Sequence, residues 1–133
     1  RELAQELRKA IPDIRLPEPR PRFYYQIATG IGGVHFEWTF SGRPRSDFSV
    51  ELHFEKSDRE ANVRMLNEIR RYTDEIEKAT GSKAFFEETW GKNWSAMAIY
   101  WGSGEITDEL KKWAVEKMAA LYKLLHPKIQ KLR

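Results

Sequence analysis

At 133 residues, with 41% hydrophobic and 13% aromatic side chains, the chain has the size and apolar content of one folded domain, which excludes disorder. It contains no cysteine, which excludes disulfides, thiolate metal sites and cysteine nucleophiles together. The net charge of +3 is unevenly spread: residues 1–22 carry +2, residues 23–110 carry −5 and residues 111–133 carry +6.

Arg1 to Ile11 has helical spacing, with Leu3, Leu7, Ala10 and Ile11 on one stripe. Pro12 ends it, and four prolines between Pro12 and Pro21 predict an extended connector. Residues 1–22 therefore read as an N-terminal helix and Pro-rich connector, and residues 23–133 as a single α+β domain. Phe23 to Thr29 is the first predicted strand. Gly30, Gly32 and Gly33 give a tight connection to Val34–Phe40, and the turn Ser41 to Ser46 leads into Phe48–Glu55. In this hairpin Val34, Phe36, Trp38 and Phe40 alternate with His35, Glu37 and Thr39. Val50, Leu52 and Phe54 alternate with Glu51, His53 and Glu55. Period two predicts half-buried strands with one apolar and one polar face.

A capping box, Ser57 with Glu60, opens a helix that runs to Thr80, with Gly81 as its C-terminal stop. Its stripe is Met65, Leu66, Ile69, Tyr72, Ile76 and Ala79. Lys83–Trp90 and Asn93–Trp101 are the fourth and fifth strands, joined across Gly91-Lys92. Thr107 caps a final helix lined by Leu110, Trp113, Ala114, Met118, Leu121, Leu125 and Ile129, which Pro127 is expected to kink or end near Leu124. The order α-β-β-β-α-β-β-α predicts an α+β fold, a five-stranded, mainly antiparallel sheet with the helices packed on one face.

The chemistry concentrates on the polar face of the hairpin. A register with His35 opposite Glu55 sets Glu37 opposite His53, so that opposite charges pair across the strands. His35, Glu37, Glu51, His53 and Glu55 are also the candidate ligands for a divalent metal, the one cofactor the sequence suggests. The plain alternative is a solvated face of ion pairs. Asp47 before Glu51-Leu52-His53 loosely follows the Asp and Glu-x-Lys of restriction-type nucleases, with His where that pattern wants Lys. No nucleophile elbow and no HExxH occurs. Candidate nucleic-acid contacts are Arg43 and Arg45 in the hairpin turn, with Lys111, Lys112, Lys117 and Lys123 in the basic C-terminal helix. The basic helix equally suits a macrodipole that favours cations in its last turns.

The stretch VELHFEKSDREANVRMLNEIRRYTDEIEKATG resembles the strand-helix core of domain of unknown function family 4268, with Asn62 near the helix start and Ile76, Glu77 and Gly81 at its end. Phe85, Phe86, Glu87 and Glu88 match the aromatic-then-acidic strand of that family, and Trp113 and Pro127 its last helix. The likeness runs from about Leu3 to Leu132. It implies the fold rather than an activity, because the family offers no catalytic residues to carry over. Its members often follow a nuclease-like N-terminal domain, which implies an accessory module linked to restriction, defence or DNA processing.

The expected function is thus an interaction module that is not an enzyme on its own, with a nucleic-acid-binding domain or a metal-dependent nuclease remnant as the alternative. Expected partners are another protein or an N-terminal nuclease-like domain, a second copy of the chain, or DNA. No window approaches the run of roughly 18 apolar residues that a membrane span needs, and the charged N-terminus lacks a signal-peptide core, so no membrane partner and a cytoplasmic location are expected. The homodimer expectation rests on Tyr24, Met97, Ile99 and Trp101 sharing the open face with the His/Glu residues, a phase that turns Trp94, Ala96 and Ala98 inward. The absence of an initiator Met is expected of a processed form or a piece of a longer protein.

Overall fold

A computed structural model describes residues 2–12, 14, 24–41, 47–89, 93–101 and 108–132. Nine elements follow one another: α1 (Glu2–Ala10), β1 (Tyr24–Ala28), β2 (Val34–Ser41), β3 (Asp47–Phe54), α2 (Arg59–Arg70), α3 (Thr73–Thr80), β4 (Phe85–Glu87), β5 (Ser95–Trp101) and α4 (Asp108–Gln130). The strands form one sheet in the order β1-β2-β3-β5-β4, with every neighbouring pair antiparallel. The α+β class and the five-stranded antiparallel sheet are as the alternation predicts.

The apolar face of the hairpin is the core face. Val34, Phe36, Trp38, Phe48, Val50, Leu52 and Phe54 are all buried, and the Phe40 side chain lies outside the described set. α2 packs against β3 and β5, and α4 against β3, while α1 and α3 pack on α4. The indole N–H of Trp38 donates to the Ala114 carbonyl at 3.1 Å, tying β2 to α4. Leu7 of α1 is fully buried in the same core. The β1–β2 turn needs glycine at Gly33, whose φ is +79° and where a Cβ would meet the Lys56 backbone nitrogen at 3.1 Å.

Several local expectations are corrected. The predicted helix to Thr80 is two helices that break at Arg71 and Tyr72, because Tyr72 leaves helical geometry and the Thr73 hydroxyl bonds the Arg70 carbonyl at 2.5 Å. The N-cap of α2 is Asp58, not Ser57, and it accepts from the Glu60 amide at 3.0 Å. Ala79 is exposed and Thr80 takes the buried position, its hydroxyl bonded to the Ile76 carbonyl. Gly81 closes α3 in the left-handed conformation, as its position predicts. α4 continues through Pro127 to Gln130, because Ile129 is fully buried and the Gln130 amide donates to the Thr29 carbonyl at 2.5 Å. β4 is only three residues long. The Thr107 cap and the turn at Gly91-Lys92 lie outside the described residues.

β5 has the opposite phase to the one expected. Leu52 pairs with Met97 and Val50 with Ile99, so both apolar residues share the core face with the hairpin and are fully buried. Trp101 holds the position opposite Phe48 in the same phase. Ala96, Ala98 and Tyr100 occupy the second face instead, opposite His53, Glu51 and Ser49.

Candidate functional site

Strand alternation carries His35, Glu37 and Thr39 of β2 and Ser49, Glu51 and His53 of β3 to the second face of the sheet, which no described helix covers. The register differs from the expected one by two residues: His35 lies opposite His53, and Glu37 opposite Glu51. The apolar face sets this register by pairing Phe36 with Leu52 and Val34 with Phe54, and the Glu55 amide locks it by donating to the Gly33 carbonyl at 2.6 Å. Like residues thus face like across the ladder, an unfavourable arrangement for two carboxylates.

The charges compensate along the strands and diagonally. His53 Nε2 lies 2.5 Å from Glu51 Oε1 and 3.8 Å from Glu37 Oε2. His53 Nδ1 lies 2.8 Å from Glu55 Oε2. His35 Nε2 lies 3.2 Å from Glu37 Oε1 and 3.8 Å from Glu55 Oε2. The two imidazole rings are 5.0 Å apart. Two hydroxyls complete the block: Thr39 donates to Glu37 Oε2, and Ser49 donates to Glu51 Oε2 at 2.5 Å. Gln26 of β1 reaches Glu37 Oε1 at 3.3 Å.

This face is not solvated as expected. Glu51 is fully buried, Glu37 and His53 are 6% and 4% exposed, and only His35 and Glu55 are half-buried. The five side chains sit on adjacent ladder positions and satisfy one another's polar atoms by hydrogen bonds. Among the described residues, every buried side-chain nitrogen or oxygen has a partner. Burial opposes the charge on His53, but the Glu51 hydrogen bond, the charges of Glu37 and Glu51 and the Glu55 hydrogen bond raise its pKa from 6.5 to about 9. Burial pushes the Glu37 carboxyl up. The His35 hydrogen bond, the charge of His53 and the Thr39 hydroxyl together outweigh that and hold it below its ordinary 4.5.

Two sets of donors lie close enough to share an ion, with their ligand atoms within 4.8 Å of one another: His35, His53 and Glu55 at the rim, and Glu37, Glu51 and His53 beneath. His53 belongs to both. All five candidate metal ligands are thus brought together. Thr39 is the sixth residue of the polar face, and period two extended by one step reaches Ser49. What alternation could not show is that these hydroxyls bond the carboxylates.

The other candidates scatter. Asp47 pairs with Ser41 at the far end of β3, four residues or roughly 13 Å along the strand from Glu51. Lys111, Lys112, Lys117 and Lys123 all lie on α4, across the sheet from the cluster. Lys112 and Lys123 are exposed, and Lys111 and Lys117 half-buried. Lys117 comes close to Gly81 at the C-terminal end of α3, where the macrodipole favours a cation. Arg43 and Arg45 lie outside the described residues. His126 stacks on Tyr122 with ring centroids 4.6 Å apart, away from the other histidines. No helix among the described residues is long and apolar enough to cross a membrane.

A family model described as domain of unknown function (DUF4268) matches residues 1–129 of the chain. No curated protein and no solved structure matches it.

Proposed function

The chain belongs to the DUF4268 family, and from that premise we propose an accessory module that acts by binding rather than by turnover, serving restriction, defence or DNA processing. Its working surface is the second face of the sheet. The carrying observation is the block of three glutamates and two histidines at the centre of that face, with Glu37, Glu51 and His53 buried and His35 and Glu55 half-buried at its rim. Burying such groups costs several kcal/mol per ion that apolar side chains would not incur. Phe85 and Trp94, 49% and 43% exposed, add apolar contact area for a protein partner such as a nuclease-like domain.

The same geometry speaks against turnover. The inner carboxylates are engaged by hydroxyls and imidazoles, Asp47 stands too far from Glu51 to share a metal, and the Glu-x-His pattern lacks the lysine that would position a water. One observation favours a second reading, nucleic-acid binding through the opposite surface: Lys112 and Lys123 are both exposed on α4, three turns apart on one side. Labelled duplex titrated at two salt concentrations, with a parallel incubation of plasmid in Mg²⁺ or Mn²⁺, separates the readings. No cleavage and no salt-sensitive binding is expected. Cleavage that disappears in Glu51→Ala overturns the proposal. Steeply salt-dependent binding that weakens in Lys112→Ala and Lys123→Ala moves it to the nucleic-acid reading.

A further inference from the structure

We propose that His35, His53 and Glu55 form a binding site for one divalent transition-metal ion of the zinc type at the rim of the second sheet face, with Glu51 as the positioning residue that turns His53 toward it. The ligand atoms of these three residues already lie within 4.8 Å of one another. Glu55 Oε2 stands between the two rings, 2.8 Å from His53 Nδ1 and 3.8 Å from His35 Nε2. Donors on a tetrahedral zinc ion lie about 3.4 Å apart, given metal–ligand bonds of about 2.0–2.2 Å. Small side-chain adjustments therefore bring the set to that spacing. Glu37 Oε1, 3.2 Å from the same His35 nitrogen, is the nearest candidate for a fourth position.

The support behind His53 is what distinguishes this set from a chance grouping. Glu51 is fully buried, and one of its oxygens is held by the Ser49 hydroxyl. Its other oxygen meets His53 Nε2 at 2.5 Å. That contact holds a proton on Nε2, so Nδ1, which donates to Glu55 in the metal-free fold, is the nitrogen that gives up its proton to bind the ion. A carboxylate behind a ligating histidine is the usual means of orienting such a ring and raising its basicity. Two imidazoles with one carboxylate suit zinc and disfavour magnesium or calcium, which seek oxygen donors. The inner set of Glu37, Glu51 and His53 is the poorer host. It is closed to solvent, and its carboxylates are tied down by Thr39, Ser49 and Gln26. The ion would also offset the excess of three carboxylates over two imidazoles.

The inference goes beyond the proposed module, since an ion can bind with or without a partner. Its test is equilibrium dialysis of the chelator-treated chain against Zn²⁺, with Mg²⁺ in parallel. One equivalent of zinc and no magnesium is expected at micromolar free metal. His35→Ala and Glu55→Gln, both at the half-buried rim, should each weaken zinc binding at least about tenfold with the circular dichroism of the metal-free chain unchanged, and Glu51→Gln should weaken it about 10- to 100-fold. Absence of bound zinc in the unmodified chain overturns the proposal. Zinc held equally well by His35→Ala and Glu55→Gln does so too, as does loss only in Glu37→Gln, which would place the ion in the inner set.

Discussion

His53 lies among three carboxylates, and its ionisation links the second sheet face to the stability of the whole chain. In the unfolded chain its pKa is near the ordinary 6.5, whereas in the fold it is about 9. A raised imidazole pKa contributes stability in full below about pH 6.5, and that contribution is lost as pH rises through 9. The difference corresponds to roughly 3–4 kcal/mol at most, since each pH unit is worth about 1.4 kcal/mol. Glu37 acts with the opposite sign: its depressed pKa contributes above 4.5 and is lost as pH falls through the folded value. Metal-free protein should therefore be most stable between about pH 5 and 7. Thermal melting from pH 6 to 10 should show a progressive fall between about pH 6.5 and 9, levelling off above, that His53→Gln removes. Parallel curves for the two proteins would mean that His53 is not charged in the fold.

At the scale of elements, Asn62 does the most joining for one side chain. It is fully buried in the first turn of α2. Its oxygen accepts from the Lys56 amide at 2.9 Å, and its nitrogen donates to the carbonyls of Lys56 and Asn93 at 2.9 and 2.8 Å. One amide thereby holds the exit of β3, the start of α2 and the approach to β5. Replacing it strands backbone groups away from water, a cost of about 1–3 kcal/mol for each unsatisfied group. Asn62→Ala should lose about 2–4 kcal/mol in urea unfolding, against a few tenths for Asn67→Ala on the exposed side of the same helix. Equal losses at the two positions would show that the three bonds contribute nothing net. Sequence spacing places Asn62 near a helix start, but its partners come from segments 6 and 31 residues away, so its clamping role could not be read from the chain alone.

For the whole molecule, the phase of β5 decides what the second face offers a partner. With Met97 and Ile99 turned into the core, Ala96 and Ala98 beside the His/Glu block are themselves buried, and the apolar surface left there is the half-buried Tyr100 with Phe85 packed edge-on against it at 5.5 Å. That is a smaller apolar surface than the one on which the homodimer expectation rested. Small apolar areas seldom sustain a stable two-fold interface. Light scattering at micromolar concentration should accordingly give a mass near 15.7 kDa. A mass near twice that value would show that the face meets a second copy of the chain despite its reduced apolar area.

The two faces of β2 and β3 were legible in the sequence because large apolar side chains alternate there with ionisable ones, and burial separates such pairs by several kcal/mol. The helices were legible for the same reason at period 3.6, as was Gly81, where the chain turns left-handed. β5 offered no such contrast. Met97 and Ile99 alternate with Ala96 and Ala98, all of them apolar, so alternation alone could not choose a face. Tertiary packing chose it by size: the bulky pair fills space beneath α2, and the alanines leave room for Glu51 and His53 across the ladder. The register of β2 on β3 was likewise settled by apolar pairs on the core face, which carried His35 to His53 and Glu37 to Glu51 whatever their charges preferred. Which polar residues share the second face is thus a property of the sequence. Which of them touch, and how deeply they are buried, was decided by the packing on the other side of the sheet.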